Sequence, residues 1–254
     1  MAKLNKKIQI SEIVKCGKDP VYFFNSYLKI QHPVRGLIPF DTYEFQDECV
    51  ETFIQNRFSI ILKSRQLGMS TLVAAYAVWM AIFQRVKTMI KSLPKWLLLP
   101  EITENNKQLI KFSHGSSIKA IPISEDAGRS EALSLLIVDE AAFVRNFDTI
   151  WTGIYPTVST GGRVVILSTP NGVGGQYYKL YTEAESRLNE FTPVKLPWDI
   201  HPERGQEWFD KTTRNMSDRQ IAQEYLCDFA SSGETFLTSK DIEWIRINTK
   251  SPVE

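Results

Sequence analysis

The chain has 254 residues, 30 Lys+Arg against 29 Asp+Glu, and 43% hydrophobic and 11% aromatic residues, which is enough apolar material for a full core. Disorder is excluded as the default, and 13 Gly with 12 Pro exclude collagen-like or low-complexity organisation. A formal charge of +1 confines any contact with nucleic acid to local patches, and no apolar stretch reaches the ~20 residues that span a bilayer.

In chain order, residues 1–35 are basic and helix-prone, with no apolar secretory core near the start, so the cytosol is the expected compartment. Asp19-Pro20 predicts a helix start before an aromatic stripe, Tyr22, Phe23, Phe24 and Tyr27, expected to pack on the core. His32-Pro33 and Gly36 break that pattern. A further helix is predicted over Tyr43–Gln55, leading into Phe58–Leu62, an apolar run suited to a buried strand. Two similar runs follow, Leu135–Val138 and Val164–Leu167, with a helix-like crossover around Phe147–Tyr155 between them. Helices are also predicted over 176–189 and 203–226, and the tail from Ser231 carries no core pattern. Cys16, Cys49 and Cys227 are widely spaced and odd in number, which suits buried small residues rather than disulfides or a metal site.

Each strand run ends in polar residues, and in an open parallel sheet ligands sit beyond the carboxyl ends of the strands. Lys63–Thr71, Asp139-Glu140 and Ser168–Asn171 are therefore expected to converge. The first of these, Ser64-Arg65-Gln66-Leu67-Gly68-Met69-Ser70-Thr71, has the strand, loop, helix layout of a phosphate-binding loop, which presents backbone N–H groups and a positive helix end to an anion. The usual pattern G-x-x-x-x-G-K-[ST] fails here, because Ser64 replaces the first glycine and Met69 the lysine. A thioether cannot replace an ammonium, so Lys63, Arg65 or both must supply the charge. Standing alone, the segment reads more readily as an ordinary strand-to-helix turn with Lys63 solvated. Asp139-Glu140 after an apolar run suits a metal-holding aspartate beside a water-activating glutamate. The three tips together, in this order, select the phosphate-binding reading.

At these residues the chain resembles the N-terminal ATPase domain of the large terminase subunit of tailed bacteriophages. Ser64–Gly68 is similar to that family's Walker A element, Leu136–Phe143 to its Walker B element and Ser168–Gly172 to its coupling motif. The resemblance extends over Asp19–Phe23, Gly36–Phe40, Tyr43-Glu44-Phe45-Gln46, Asp126-Ala127-Gly128-Arg129 and the region from Asp228-Phe229 to Phe236. It implies a three-layer α/β P-loop NTPase of ASCE/RecA-like type, with a mostly parallel central sheet and a small helical lid or linker subdomain. The implied organisation is a helical N-terminal segment over 1–36, the ATPase core over 37–200 and a helical linker over 201–254.

The same resemblance implies the roles of individual residues. Lys63 and Ser64 to Thr71 would bind nucleotide, with Tyr43 and Gln46 at the adenine. Ser70 and Asp139 would hold Mg²⁺, and Glu140 would activate water. Ser168, Thr169, Pro170 and Asn171 would sense the γ-phosphate, while Arg65 and Arg129 are candidates for transition-state charge stabilisation, within the chain or across a ring. His32, His114 and His201 match no motif and are expected to be surface or structural.

Three departures from the family pattern qualify these implications. Met69 stands at the lysine position, and Lys63 is the expected substitute. Leu72–Trp96 reads as nearly unbroken helix, longer than one sheet layer needs, so an edge strand is expected to be missing near Gln84-Arg85. The nuclease domain that normally follows is not expected within this chain. The implied function is Mg-ATP hydrolysis coupled to translocation of double-stranded DNA into a procapsid, with the portal protein, the small terminase subunit and copies of itself in a ring as partners, in the host cytoplasm. Two alternatives remain at this point: a nucleotide-binding relative that does not hydrolyse, and a helicase-like translocase. The second needs another RecA-like domain, for which too few residues remain after Asn171.

Overall fold

A computed structural model describes residues 6–32, 35–84, 100–121, 132–233, 244 and 247–248. Its strands in chain order are β1 Lys29–His32, β2 Gly36–Pro39, β3 Phe58–Lys63, β4 Ile102–Asn105, β5 Leu109–Phe112, β6 Ser117–Lys119, β7 Leu135–Asp139, β8 Arg163–Ser168 and β9 Thr192–Leu196. The chain divides into two compact units, one of residues 1–55 and 68–127, the other of residues 56–67 and 128–254.

The first unit is built on helices α1 Lys6–Lys18, α2 Pro20–Tyr27, α3 Glu44–Gln55 and α4 Met69–Trp79. Asp19 caps α2 by accepting the Tyr22 N–H at 2.9 Å, with Pro20 in the first turn, so the expected helix start is borne out. Of the aromatic stripe, Phe23 and Phe24 are buried, and Phe23 meets Phe83 edge-on at 5.1 Å. Tyr27 lies outside the core, its hydroxyl bonded to Glu12. Trp79 donates its indole N–H to the Cys16 carbonyl and Tyr76 its hydroxyl to that of Phe53, which satisfies two buried polar atoms. Past Trp79 the helix widens into a π turn over Met80–Gln84. The sequence from Arg85 to Trp96, where the helix was expected to continue and a strand to be missing, lies outside the described residues. The antiparallel pair β1–β2 and the antiparallel sheet β4-β5-β6 were not foreseen.

The second unit holds a four-stranded parallel sheet in the order β7-β8-β3-β9. All three predicted strands are present, and all six residues of β3 are buried, in keeping with a sequence that is apolar up to the final lysine except at Ser59. One face carries Phe58, Ile60 and Leu62 against helices Phe147–Val158 and Gly175–Glu185, through Ile150, Trp151, Tyr177 and Tyr181. The first of these helices is the expected crossover between β7 and β8. Tyr177 is anchored by donating to the Ile61 carbonyl at 2.7 Å.

β9 was not read from sequence. Helix Gly175–Glu185 stops earlier than expected, Arg187 turns into the left-handed region, and β9 follows with Pro193 in its interior. The run expected to be helical over 203–226 is also interrupted. It consists of helix Gln206–Thr213, a new start at Ser217 with a reciprocal Ser217–Gln220 capping box, and a π turn over Ala222–Leu226. Cys16, Cys49 and Cys227 are free and buried, as expected, and burial pushes the Cys49 thiol up to about 12. The described residues contain no helix long and apolar enough to cross a membrane.

Candidate functional site

The register of the parallel sheet sets three strand ends side by side. Asp139 is level with Leu167, and Ser168 is level with Leu62, so Lys63, Asp139-Glu140 and Ser168-Thr169 all emerge at one edge. Lys63 is buried, and its ammonium donates to Glu140 Oε1 at 2.9 Å, reaching over the end of the intervening strand β8. Glu140 sits at φ +53°, and its own N–H is accepted by Asp139 Oδ1 at 2.9 Å. Backbone strain of this kind concentrates where side chains are aimed for a purpose.

The third tip is tied to the second. Ser168 Oγ accepts the Ala142 N–H at 3.1 Å, and Asn171 donates its amide to the Ala142 carbonyl at 3.2 Å. Gln223 reaches Asn171 Oδ1 at 3.4 Å. Ser168 and Thr169 are both buried. Gly172 has φ +79°, and a Cβ there would lie 2.8 Å from Gly233 Cα, so only glycine permits this approach of the two backbones.

The loop after β3 is held from outside by residues that the sequence reading missed. Ser64 donates its N–H to the Leu196 carbonyl at 2.8 Å, while its buried hydroxyl has no hydrogen-bond partner among the described residues. Arg65 donates its N–H to the Glu224 carbonyl at 2.7 Å, and its exposed guanidinium forms an ion pair with the Glu224 carboxylate. Burial raises the Glu224 carboxyl above its ordinary value, against the opposing pull of Arg65. Arg204 donates to the carbonyls of Arg65, at 3.0 Å, and Gln66, at 2.6 Å. Gln66 is left-handed at φ +59°, and Leu67 is buried. Neither Arg204 nor Glu224 lies in a recognisable motif; the turn signal His201-Pro202 before Gly205 was the only hint that this segment leaves helical structure.

The rest of the expected site belongs to the first unit. Gly68, at φ +71°, precedes the first turn of α4, and a Cβ on it would fall 2.8 Å from Gln46 Nε2. Met69 is buried, whereas Ser70 and Thr71 are exposed. Gln46 is buried in α3, where its Oε1 accepts the Tyr43 N–H at 3.1 Å. Tyr43 stacks on Phe45. Arg129 lies outside the described residues. Of the three histidines, His201 is buried and accepts the Glu203 N–H on Nδ1, and His114 contacts the Ala81 carbonyl, in keeping with structural roles. The side chain of His32 is outside the described set.

A parallel sheet with the loop strand β3, an interposed strand β8 and a strand β7 ending in paired acids is the core of a P-loop NTPase of the additional-strand, ASCE type. The chain belongs to the family described as terminase large subunit, T4likevirus-type, N-terminal, whose model matches residues 82–243. That match begins after the loop that follows β3 and takes in both the paired acids and the third strand tip. Terminase large subunits of Thermus phage G20c and Thermus virus P23-45 are each 25% identical to it over 193 residues, covering 63% of this chain and 39% of their own length. The chain thus spans well under half of those relatives. Among solved structures, an arginine-to-alanine variant of the Thermus phage P74-26 large terminase ATPase domain superposes with a TM-score of 0.55 at 19% identity, over 75% of this chain and 95% of that one. The bacteriophage HK97 large terminase gives 0.52 at 16%, over 89% and 50%. At these identities the likeness is one of fold.

Proposed function

We propose that this chain is an ATP-hydrolysing motor domain of a viral DNA-packaging terminase, coupling Mg-ATP hydrolysis to translocation of double-stranded DNA into a procapsid. The observation that carries the proposal is the Lys63–Glu140 contact at the sheet edge that also bears Asp139 and Ser168. Nothing in sheet packing requires a buried lysine and two acids there, and burying a charge is costly unless the charge has a use or a partner.

The residues present suit the implied groups. Ser70 and Asp139 offer hard oxygen donors, the kind that hold Mg²⁺ together with substrate phosphates, and the orphaned Ser64 hydroxyl has a hydrogen bond to give to an anion. The metal, when bound, would neutralise phosphate charge and order the phosphate oxygens. Lys63 supplies the ammonium that Met69 cannot. Glu140 takes the proton of the attacking water on its carboxylate, and Asp139, accepting the Glu140 N–H, fixes the direction in which that carboxylate points. Ser168 to Asn171 respond to the γ-phosphate and pass its loss on through Ala142 and Gln223. Gln46 and Tyr43 serve the adenine. Arg65 or Arg129 stabilises transition-state charge, and mixing each arginine variant with a Glu140 variant separates action within one subunit from action across a ring. The partners in this reading are DNA, the portal, the small terminase subunit and further copies of the chain, in the host cytoplasm.

The decisive experiment is phosphate release from ATP by the purified chain. The expected result is release that requires Mg²⁺ and is lost in Glu140→Gln while nucleotide binding persists. Binding without release in the unaltered chain would instead select the hydrolysis-deficient alternative, which the buried Met69 favours.

A further inference from the structure

Arg204 lies outside the three strand tips, and its side chain grips the backbone of the loop after β3. Its two terminal nitrogens donate to consecutive carbonyls, those of Arg65 at 3.0 Å and Gln66 at 2.6 Å. The guanidinium lies 4.4 Å from the centroid of Trp208, which packs near Trp198 and against Tyr225. Its backbone is fixed in turn by donating to the His201 carbonyl at 3.0 Å. The fork is therefore braced from behind before it meets the loop.

From this geometry we infer that Arg204 is a positioning residue for the phosphate loop, an inference that rests on the nucleotide-binding reading above. A loop binds an anion through N–H groups, and carbonyls of the same peptides turned towards the ligand would repel it. Gln66 holds a left-handed conformation that a non-glycine residue adopts only at a cost, so without support the peptides around it would relax. A planar guanidinium matches two neighbouring carbonyls at once, and a lysine ammonium cannot reproduce that fork. Arg204 holds both carbonyls turned towards its own guanidinium, on the outer side of the loop. It touches no reacting atom. Its effect is on binding more than on the chemical step.

The test compares the whole chain with Arg204→Ala and Arg204→Lys by three measurements: amide hydrogen exchange of residues 64–68 without nucleotide, steady-state kinetics of Mg-ATP hydrolysis, and thermal melting. In Arg204→Ala, exchange should accelerate and KM rise by about tenfold or more, with kcat changed by less than about threefold and melting little affected, as expected for loss of two charge-assisted hydrogen bonds at a half-exposed position. Arg204→Lys should fall between the two. Unchanged exchange and KM in Arg204→Ala, with turnover intact in the unaltered chain, would overturn the inference and leave the motor reading standing. Accelerated exchange in a chain that releases no phosphate would do the reverse, supporting the clamp and removing the function built on it.

Discussion

Lys63 Nζ and Glu140 Oε1 are 2.9 Å apart, so the cation ending β3 and the second acid beyond β7 hold one another across the end of β8. The lysine is nearly enclosed, its side chain 7% exposed, while the glutamate is half open at 51%. A buried ammonium next to a solvent-accessible carboxylate is a cation that an incoming anion can claim without first creating an unpaired buried charge.

Lys63→Ala and Met69→Ala should therefore separate cleanly. Loss of Lys63 should weaken ATP binding by about tenfold or more, because a charge-assisted contact disappears. Truncation of buried Met69 should lower stability by about 2–5 kcal/mol and leave affinity in the surviving folded protein close to that of the parent. A nucleotide titration and a melting curve on each variant decide the matter, and equal affinities would refute Lys63 as the replacement cation.

The Arg65–Glu224 ion pair should matter little for stability. Arg65 is 63% exposed at its side chain, and solvent screens such pairs to below about 1 kcal/mol. The backbone bond from Arg65 N–H to the Glu224 carbonyl survives any side-chain change. A double-mutant cycle with Arg65→Ala and Glu224→Gln, read by denaturant unfolding, should give a coupling energy under about 1 kcal/mol. A coupling near 3 kcal/mol would mean that the pair is a structural strut.

His201 should make stability fall in mild acid. Burial, with help from nearby Arg204, lowers its pKa below the ordinary 6.5, and Glu203 opposes that only partly. Because the folded value is the lower one, the unfolded chain takes up the proton first. The contribution is complete above pH 6.5 and declines as pH drops through the folded value. Asparagine can accept the Glu203 N–H in place of Nδ1, so the His201→Asn protein should show a flatter dependence of melting temperature on pH between about 7.5 and 5 than the parent. Parallel curves for the two proteins would contradict this.

Gly172→Ala should be costly. The added methyl group meets Gly233 Cα at 2.8 Å, and φ at Gly172 is +79°. Strain of this kind costs about 1–3 kcal/mol, or roughly 4–8 °C in melting temperature at the middle of that range for a chain of this size. Differential scanning calorimetry reads it directly, and an unchanged melting temperature would show that the two backbones separate easily.

Much of the fold could be read from the sequence because parallel strands buried on both faces leave a plain signature. Phe58–Leu62, apolar but for Ser59, and the continuous apolar runs Leu135–Val138 and Val164–Leu167 are all strands of one sheet. β9 was hidden by Pro193, which breaks the usual strand composition, yet an edge strand tolerates the missing donor. The short antiparallel strands β4 to β6 alternate polar and apolar residues too briefly for periodicity to speak.

What the sequence determined by itself was the order of chemistry along the chain: a loop entered by a lysine, then paired acids, then a Ser-Thr-Pro-Asn tip, each at the end of an apolar run. Residue type and local spacing suffice for that, since strand propensity and the residues that follow a strand are near-neighbour properties. Only the tertiary structure decided that Lys63 faces Glu140, that Ser168 receives the Ala142 N–H, and that Arg204 and Glu224 hold the loop from outside. Those pairs lie some 26 to 159 residues apart in the chain, as their numbering shows. Contacts between residues so distant are set by sheet register and by the packing of the segment after β9, neither of which leaves a mark on the residues nearby in sequence.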